Sequence, residues 1–300
     1  MNAIKVKVKT FSIGAICAMY VVMWVGGVAR YILFSGSRSI QASDPSWEAS
    51  VFLTLAGTLV IVTSSKRAAI RLFAAGLLGF AAEIIGVRYG FIFGPYRYTD
   101  ALQPQILDTP LVMISAWMVL VSYCQQTFVE LQQPRFIKAA LAALFMTAID
   151  LVIDPLAANQ LGYWRWQNSG AYYGIPMQNF FGWMAVSFLI FSVIYRKPSK
   201  DPLEIRRPQD NWFVRYVGLS IVLFFTVIAL GFKLALAGSI GLILCLTRLA
   251  VFWGKDFFTA CLKGIASILS GHYTSRDFQR VVINEVREDT QKVFDDRNCP

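Results

Sequence analysis

Three acidic side chains stand in apolar stretches where an ionisable group is out of place. Glu83 falls in the run 68–87, and Asp150 and Asp154 fall in the run 136–156. If those runs cross a bilayer, each charge near a helix centre costs roughly 2.5–3.5 kcal/mol, so each acid is a functional candidate by default. Asp150 and Asp154 are four residues apart and share one helix face, one turn from each other. Two carboxyls held so close do not both ionise readily, and the pair naturally keeps one proton. The chemistry open to such a set is delivery and removal of protons in a site poor in water. The alternative for any one acid is structural, capping backbone or pairing with Arg88 or Arg165. It accounts poorly for all three.

The segments that follow these acids are unlike ordinary connectors. After Glu83 comes Gly90-Phe91-Ile92-Phe93-Gly94-Pro95-Tyr96-Arg97-Tyr98. After Asp154 come Tyr163-Trp164-Arg165-Trp166 and Gly170-Ala171-Tyr172-Tyr173-Gly174-Ile175-Pro176, then Asn179 and Trp183. Trp and Tyr gather at membrane interfaces in any case. An interfacial belt does not explain the interleaved Gly and Pro, which specify a fixed backbone path. Glu83 also shares its helix face with Gly76, Gly79 and Gly86, small residues that admit a neighbouring helix.

The elements that must hold these groups are membrane helices. Of the 300 residues 56% are hydrophobic and only 15% charged, where soluble domains carry roughly 25% charged residues. Disorder, a coiled coil and a soluble enzyme are excluded. Eight runs are long and apolar enough to be candidate spans: 11–34, 47–63, 68–87, 110–129, 136–156, 176–195, 213–232 and 234–253. The expected fold is therefore all-α and polytopic, with about eight transmembrane helices. The last two runs are separated only by Lys233, which leaves seven as the alternative. With the N-terminus in the cytoplasm, most of the 28 Lys and Arg fall on the cytoplasmic side, so eight spans with both termini inside satisfy the positive-inside rule. The net charge of +10 then sets orientation and does not point to nucleic acid. All three acids fall in the outer halves of their spans. Residues 1–254 form the transmembrane domain, and 255–300 read as a cytoplasmic amphipathic tail at the inner leaflet or as a solvated tail. With one histidine, His272, and five scattered cysteines, the chain offers no convincing metal, haem or disulfide site.

A duplication is also visible. Glu83 precedes an aromatic-Arg-aromatic triplet centred on Arg97, then Pro110 and Trp117. Asp150 precedes a second triplet centred on Arg165, then Pro176 and Trp183. Acid and proline are 27 and 26 residues apart, and proline and tryptophan 7 in both. Both units would run in–out–in, as parallel repeats about an axis along the membrane normal.

The run Asp150-Leu151-Val152-Ile153-Asp154-Pro155, the segment 163–166, the segment 170–176 and Asn179-Phe180-Phe181-Gly182-Trp183 resemble the membrane carotenoid-biosynthesis family. So do Glu83, Gly86, Gly90, Phe93-Gly94, Tyr96 and Tyr98. The resemblance covers about residues 79–195, the motif-bearing core. That family includes carotenoid 1,2-hydratases acting on gamma-carotene-type and bisanhydrobacterioruberin-type ends. The resemblance implies addition of water across the terminal double bond of an acyclic carotenoid end, giving a tertiary alcohol without any cofactor. One carboxyl must protonate the alkene, aromatic faces must stabilise the carbocation, and a base must take a proton from the attacking water. Asp150 or Asp154 is the expected donor, with the other, or Glu83, as base. Trp164, Trp166, Tyr172, Tyr173 and Trp183, with Tyr96 and Trp117 of the first unit, are candidates to pack the end group and stabilise the cation. Asn179 is the candidate to hydrogen-bond the water.

Rival readings remain open at this level. A carotenoid end-group cyclase would begin with the same protonation and capture the cation with an internal double bond. A proton-coupled transporter would also use intramembrane acids, though it needs polar residues continuing inward along several spans. A scaffold for other carotenoid-pathway enzymes would leave the carboxylates dispensable. The expected partners are a lipophilic carotenoid, water and the bilayer, with other pathway enzymes as further candidates. The basic balance favours a bacterial cell membrane over a strongly acidic haloarchaeal protein.

Overall fold

The computed structural model describes residues 2–33, 47–128, 131, 133–196 and 212–252. The expected tail 255–300 lies outside them. Residues Met1–Cys245 form one compact unit, and Leu246–Pro300 form a second.

Eight helices occur among the described residues; seven lie within one of the apolar runs read from the sequence or extend it by at most three residues, and the first begins nine residues before its run. They are α1 (Asn2–Leu33), α2 (Trp47–Thr63), α3 (Lys66–Tyr89), α4 (Met113–Phe128), α5 (Arg135–Asn159), α6 (Met177–Ile194), α7 (Trp212–Gly231) and α8 (Ala235–Phe252). Four segments are long and apolar enough to cross a membrane: Ser12–Ile32, Lys66–Tyr89, Arg135–Asn159 and Met177–Ile194. Trp47–Thr63, Tyr216–Gly231 and Ala235–Thr247 are apolar but shorter. The chain is thus a helical membrane protein.

The all-α expectation needs one amendment. The connectors between α3 and α4 and between α5 and α6 contain short strands. β1 (Tyr96–Tyr98) pairs antiparallel with β4 (Trp164–Trp166), and β2 (Gln105–Ile106) pairs with β3 (Thr109–Pro110). The first ribbon continues where the Thr99 amide donates to the Tyr163 carbonyl at 3.0 Å and the Gln167 amide to the Pro95 carbonyl at 3.0 Å.

Local chemistry explains how the helices meet. Ser65 caps α3 by accepting from the Ala68 amide at 3.3 Å. At its other end Gly90 turns the chain with φ 62°, a left-handed conformation that glycine adopts without penalty. α4 is the central helix, with Trp117, Val119, Val121, Tyr123 and Cys124 fully buried. It packs chiefly on α3, α2, α7 and α5, while α5 and α6 form the other tight pair. The approach of α3 to α4 depends on absent side chains. A Cβ at Gly79 would stand 2.2 Å from the Trp117 ring, and one at Gly76 would stand 2.7 Å from the Ile114 carbonyl oxygen. At the other side of the bundle, Tyr20 and Trp24 of α1 hold Ser220 of α7 through hydrogen bonds of 2.8 Å each.

Gly79→Ala should push α3 away from Trp117 and destabilise the fold by about 1–3 kcal/mol, as overpacking does. Thermal unfolding in detergent, followed by tryptophan fluorescence, would register it as a lowered midpoint. An unshifted midpoint would mean that the two helices do not need this contact.

Candidate active site

All three acids point into the protein. Relative exposure is 4% for Glu83, 2% for Asp150 and 1% for Asp154. Among the described residues no lysine or arginine pairs with any of them, so Arg88 and Arg165 are not their counterions. A buried carboxyl without a cation must be satisfied by hydrogen-bond donors. Here the donors are neutral and come from the two connectors and from α4 and α6.

Glu83 receives three of them. The Tyr96 hydroxyl donates to Oε2, the Tyr98 hydroxyl donates to the same oxygen at 2.9 Å, and the Trp117 indole N–H reaches Oε1 at 3.1 Å. Burial first, and then the nearby Glu83 charge, hold both phenols well above their usual range. Both therefore stay protonated and keep donating at any working pH.

Asp154 also has three donors. Trp164 Nε1 lies 2.7 Å and Trp166 Nε1 3.2 Å from Oδ1, and Asn179 Nδ2 lies 2.7 Å from Oδ2. The same Asn179 amide group reaches Asp150 Oδ2 at 2.7 Å. One side-chain amide, itself 2% exposed, therefore ties the pair together. Asp150 has that single donor, and its second oxygen accepts nothing from the described residues.

The ribbon sets this arrangement. Tyr96 lies opposite Trp166, Arg97 opposite Arg165, and Tyr98 opposite Trp164. Alternation along a strand sends successive side chains to opposite faces. The four aromatics face inward onto the acids, and the two arginines face out. The rings interlock across the strands, with centroids 5.0 Å apart for Tyr96–Trp166 and 5.8 Å for Tyr98–Trp164. Below them Trp117 of α4 and Trp183 of α6 stack at 4.5 Å with planes 8° apart.

The structure separates the candidates into two groups. It brings Asp150, Asp154, Asn179, Trp164 and Trp166 together, and places Glu83, Tyr96, Tyr98 and Trp117 in an adjoining station under the same ribbon. Glu83 shares none of its hydrogen-bond donors with the aspartate pair. Tyr172 and Tyr173 do not hydrogen-bond the acids. The Tyr172 hydroxyl donates to the Leu151 carbonyl at 2.8 Å. That carbonyl is the one Pro155 leaves unpaired, because proline four residues on has no N–H. The Tyr173 hydroxyl accepts from the Leu236 amide at 3.1 Å, at the start of α8. Tyr98 was missed as an acid ligand, although its place in the Tyr-Arg-Tyr triplet matches that of Trp166.

Fold and site together define a helical membrane protein in which carboxyls are sealed under an aromatic β-ribbon. The chain belongs to the carotenoid biosynthesis protein family, whose profile matches residues 48–248. A curated relative is bisanhydrobacterioruberin hydratase of Haloarcula japonica, 31% identical over 134 residues. That match covers 42% of this chain and 45% of the relative, so the chain is matched to less than half of the relative's length. No solved structure matches the chain.

Tyr172→Phe isolates one of these contacts. Removing the hydroxyl leaves the Leu151 carbonyl without a partner inside the turn that carries both aspartates, a loss of about 1–3 kcal/mol. Chemical or thermal denaturation in detergent should show that drop, with the chain still inserted and helical. A Phe variant as stable as the parent would mean that Tyr172 does not support this turn.

Proposed function

We propose that this protein is a carotenoid 1,2-hydratase, adding water to the terminal trisubstituted double bond of an acyclic carotenoid end without a cofactor. The observation that carries the reading is the unequal supply of donors to three buried carboxyls. Three neutral donors each suit Glu83 and Asp154 to the ionised form. Asp150, with one donor, is suited to hold the proton of the pair.

The step then follows. Asp150 gives its carboxyl proton to the less substituted alkene carbon. The π electrons form the new C–H bond and leave a tertiary cation on the neighbouring carbon. The oxygen of a water molecule attacks that carbon, and Asp154 takes the released proton. The two carboxyls, joined through Asn179, then redistribute the proton for the next turnover. The indole faces of Trp164 and Trp166 stabilise the cation by about 0.5–2 kcal/mol each. Glu83 adds a fixed negative potential, with its oxygens occupied by donors and so poorly placed to trap the cation as an ester. The substrate is of the gamma-carotene, lycopene or bisanhydrobacterioruberin type.

The same reading has eight spans with both termini in the cytoplasm of a bacterial cell, and a duplicated α3–β1–α4 and α5–β4–α6 unit. The central Arg97–Arg165 pairing and the Trp117–Trp183 stack match equivalent positions of the two units, as a two-fold axis along the membrane normal requires. By the same register Val87 and Met113 stand where the second unit has Asp154 and Asn179. The proton-transfer pair therefore belongs to the second unit only.

Expression in cells that accumulate lycopene or gamma-carotene should yield a product heavier by one water, and incubation of the enzyme-bearing membranes with pre-formed unlabelled carotenoid in heavy water should place one deuterium on the carbon next to the tertiary alcohol. Asp150→Asn should lower turnover by about 10²–10⁴-fold, the usual worth of a general acid, while the protein remains in the membrane. An isomer of unchanged mass would mean cyclisation. Full turnover by the Asn variant would remove Asp150 from the mechanism.

A further inference from the structure

The outward face of the ribbon carries a feature that the hydration chemistry does not use. Arg97 and Arg165 are directly opposite each other and both are exposed. The flanking Thr99–Tyr163 and Gln167–Pro95 hydrogen bonds put this pair in the hydrogen-bonded register, with Cα atoms about 5.5 Å apart. Like charges directly opposite on one sheet face repel and destabilise the pairing. Neither guanidinium has an acidic, carbonyl or aromatic partner among the described residues. The nearest acid in sequence, Asp100, takes a weak hydrogen bond from Gln103 at 3.5 Å instead. Yet this ribbon must stay closed, since its inner face supplies four donors to Glu83 and Asp154.

The surroundings indicate what neutralises the repulsion. The ribbon lies in the connectors that leave α3 and α5, and in the first of these connectors it is flanked along the chain by the exposed residues Tyr89, Phe91, Ile106 and Leu107. Tyrosine gathers at the boundary between hydrocarbon and headgroups, and exposed Tyr89 at the end of α3 marks that level. Two arginines projecting outward from that level meet the plane of lipid phosphates, and two guanidinium forks can share one phosphate through paired N–H···O bonds. We propose that Arg97 and Arg165 together bind the phosphate of an anionic phospholipid headgroup, which closes the ribbon over the acids. This site does not depend on the hydratase reading.

Native mass spectrometry of the full chain released from vesicles of equal phosphatidylglycerol and phosphatidylcholine tests it. The parent should retain one phosphatidylglycerol in preference to phosphatidylcholine. The Arg97→Gln, Arg165→Gln double variant should retain it at least tenfold less. Unchanged tryptophan fluorescence in phosphatidylglycerol-free detergent would show that this variant is folded. Arg88→Gln, on α3 and outside the ribbon, should retain the lipid as the parent does. Equal retention by the double variant, equal uptake of the two lipids by the parent, or capture of inorganic phosphate in place of phosphatidylglycerol would each overturn the proposal.

Discussion

The governing constraint is that carboxyls buried without a cation must be satisfied by neutral hydrogen-bond donors. In the hydrocarbon of a bilayer water is scarce, and each unsatisfied polar group costs several kcal/mol. Glu83, Asp150 and Asp154 thus require indole, phenol and amide groups at fixed positions. Those groups are brought in by a short β-ribbon above and by Trp117 and Asn179 from the side. A salt bridge could have neutralised the same acids more simply. It would also have removed the proton that an acid catalyst must hold.

The remainder of the architecture serves that placement. Gly76 and Gly79 bring α4 close enough for Trp117 to reach Glu83, four residues on. Pro155 loosens the helix next to Asp154, and Tyr172 restores the lost hydrogen bond from a connector. Asn159 and Gln178 pin the connectors further, the first on the Tyr173 carbonyl and the second on the Phe91 carbonyl, at 2.8 Å each. The polar groups are thereby fixed in place by the fold, the pre-organisation that the proposed hydration would need.

Much of this was legible in the sequence, and the limits have physical causes. Acids inside apolar runs, a four-residue spacing and a glycine face are local signals, and the helices follow them. The aromatic-Arg-aromatic triplets also carried a period-two pattern, the mark of a strand. Only pairing between segments nearly seventy residues apart reveals that the two triplets lie on each other and aim four donors at two acids. For Tyr172 and Tyr173 residue type was all that could be read. Their hydroxyls are committed to Leu151 and Leu236, partners that depend on tertiary contact. The match to the carotenoid biosynthesis family supplies the pathway. The unequal supply of hydrogen-bond donors is what supports the proposed division of labour between Asp150 and Asp154.

That division can be observed without substrate. Infrared spectroscopy of the purified protein near neutral pH, with hydrogen–deuterium exchange, distinguishes a neutral carboxyl from a carboxylate by its C=O stretch. A protonated-carboxyl band should be present in the parent, survive in Glu83→Gln, and vanish in Asp150→Asn. A parent lacking that band, or an Asp150→Asn protein that retains it, would contradict the assignment of the proton to Asp150.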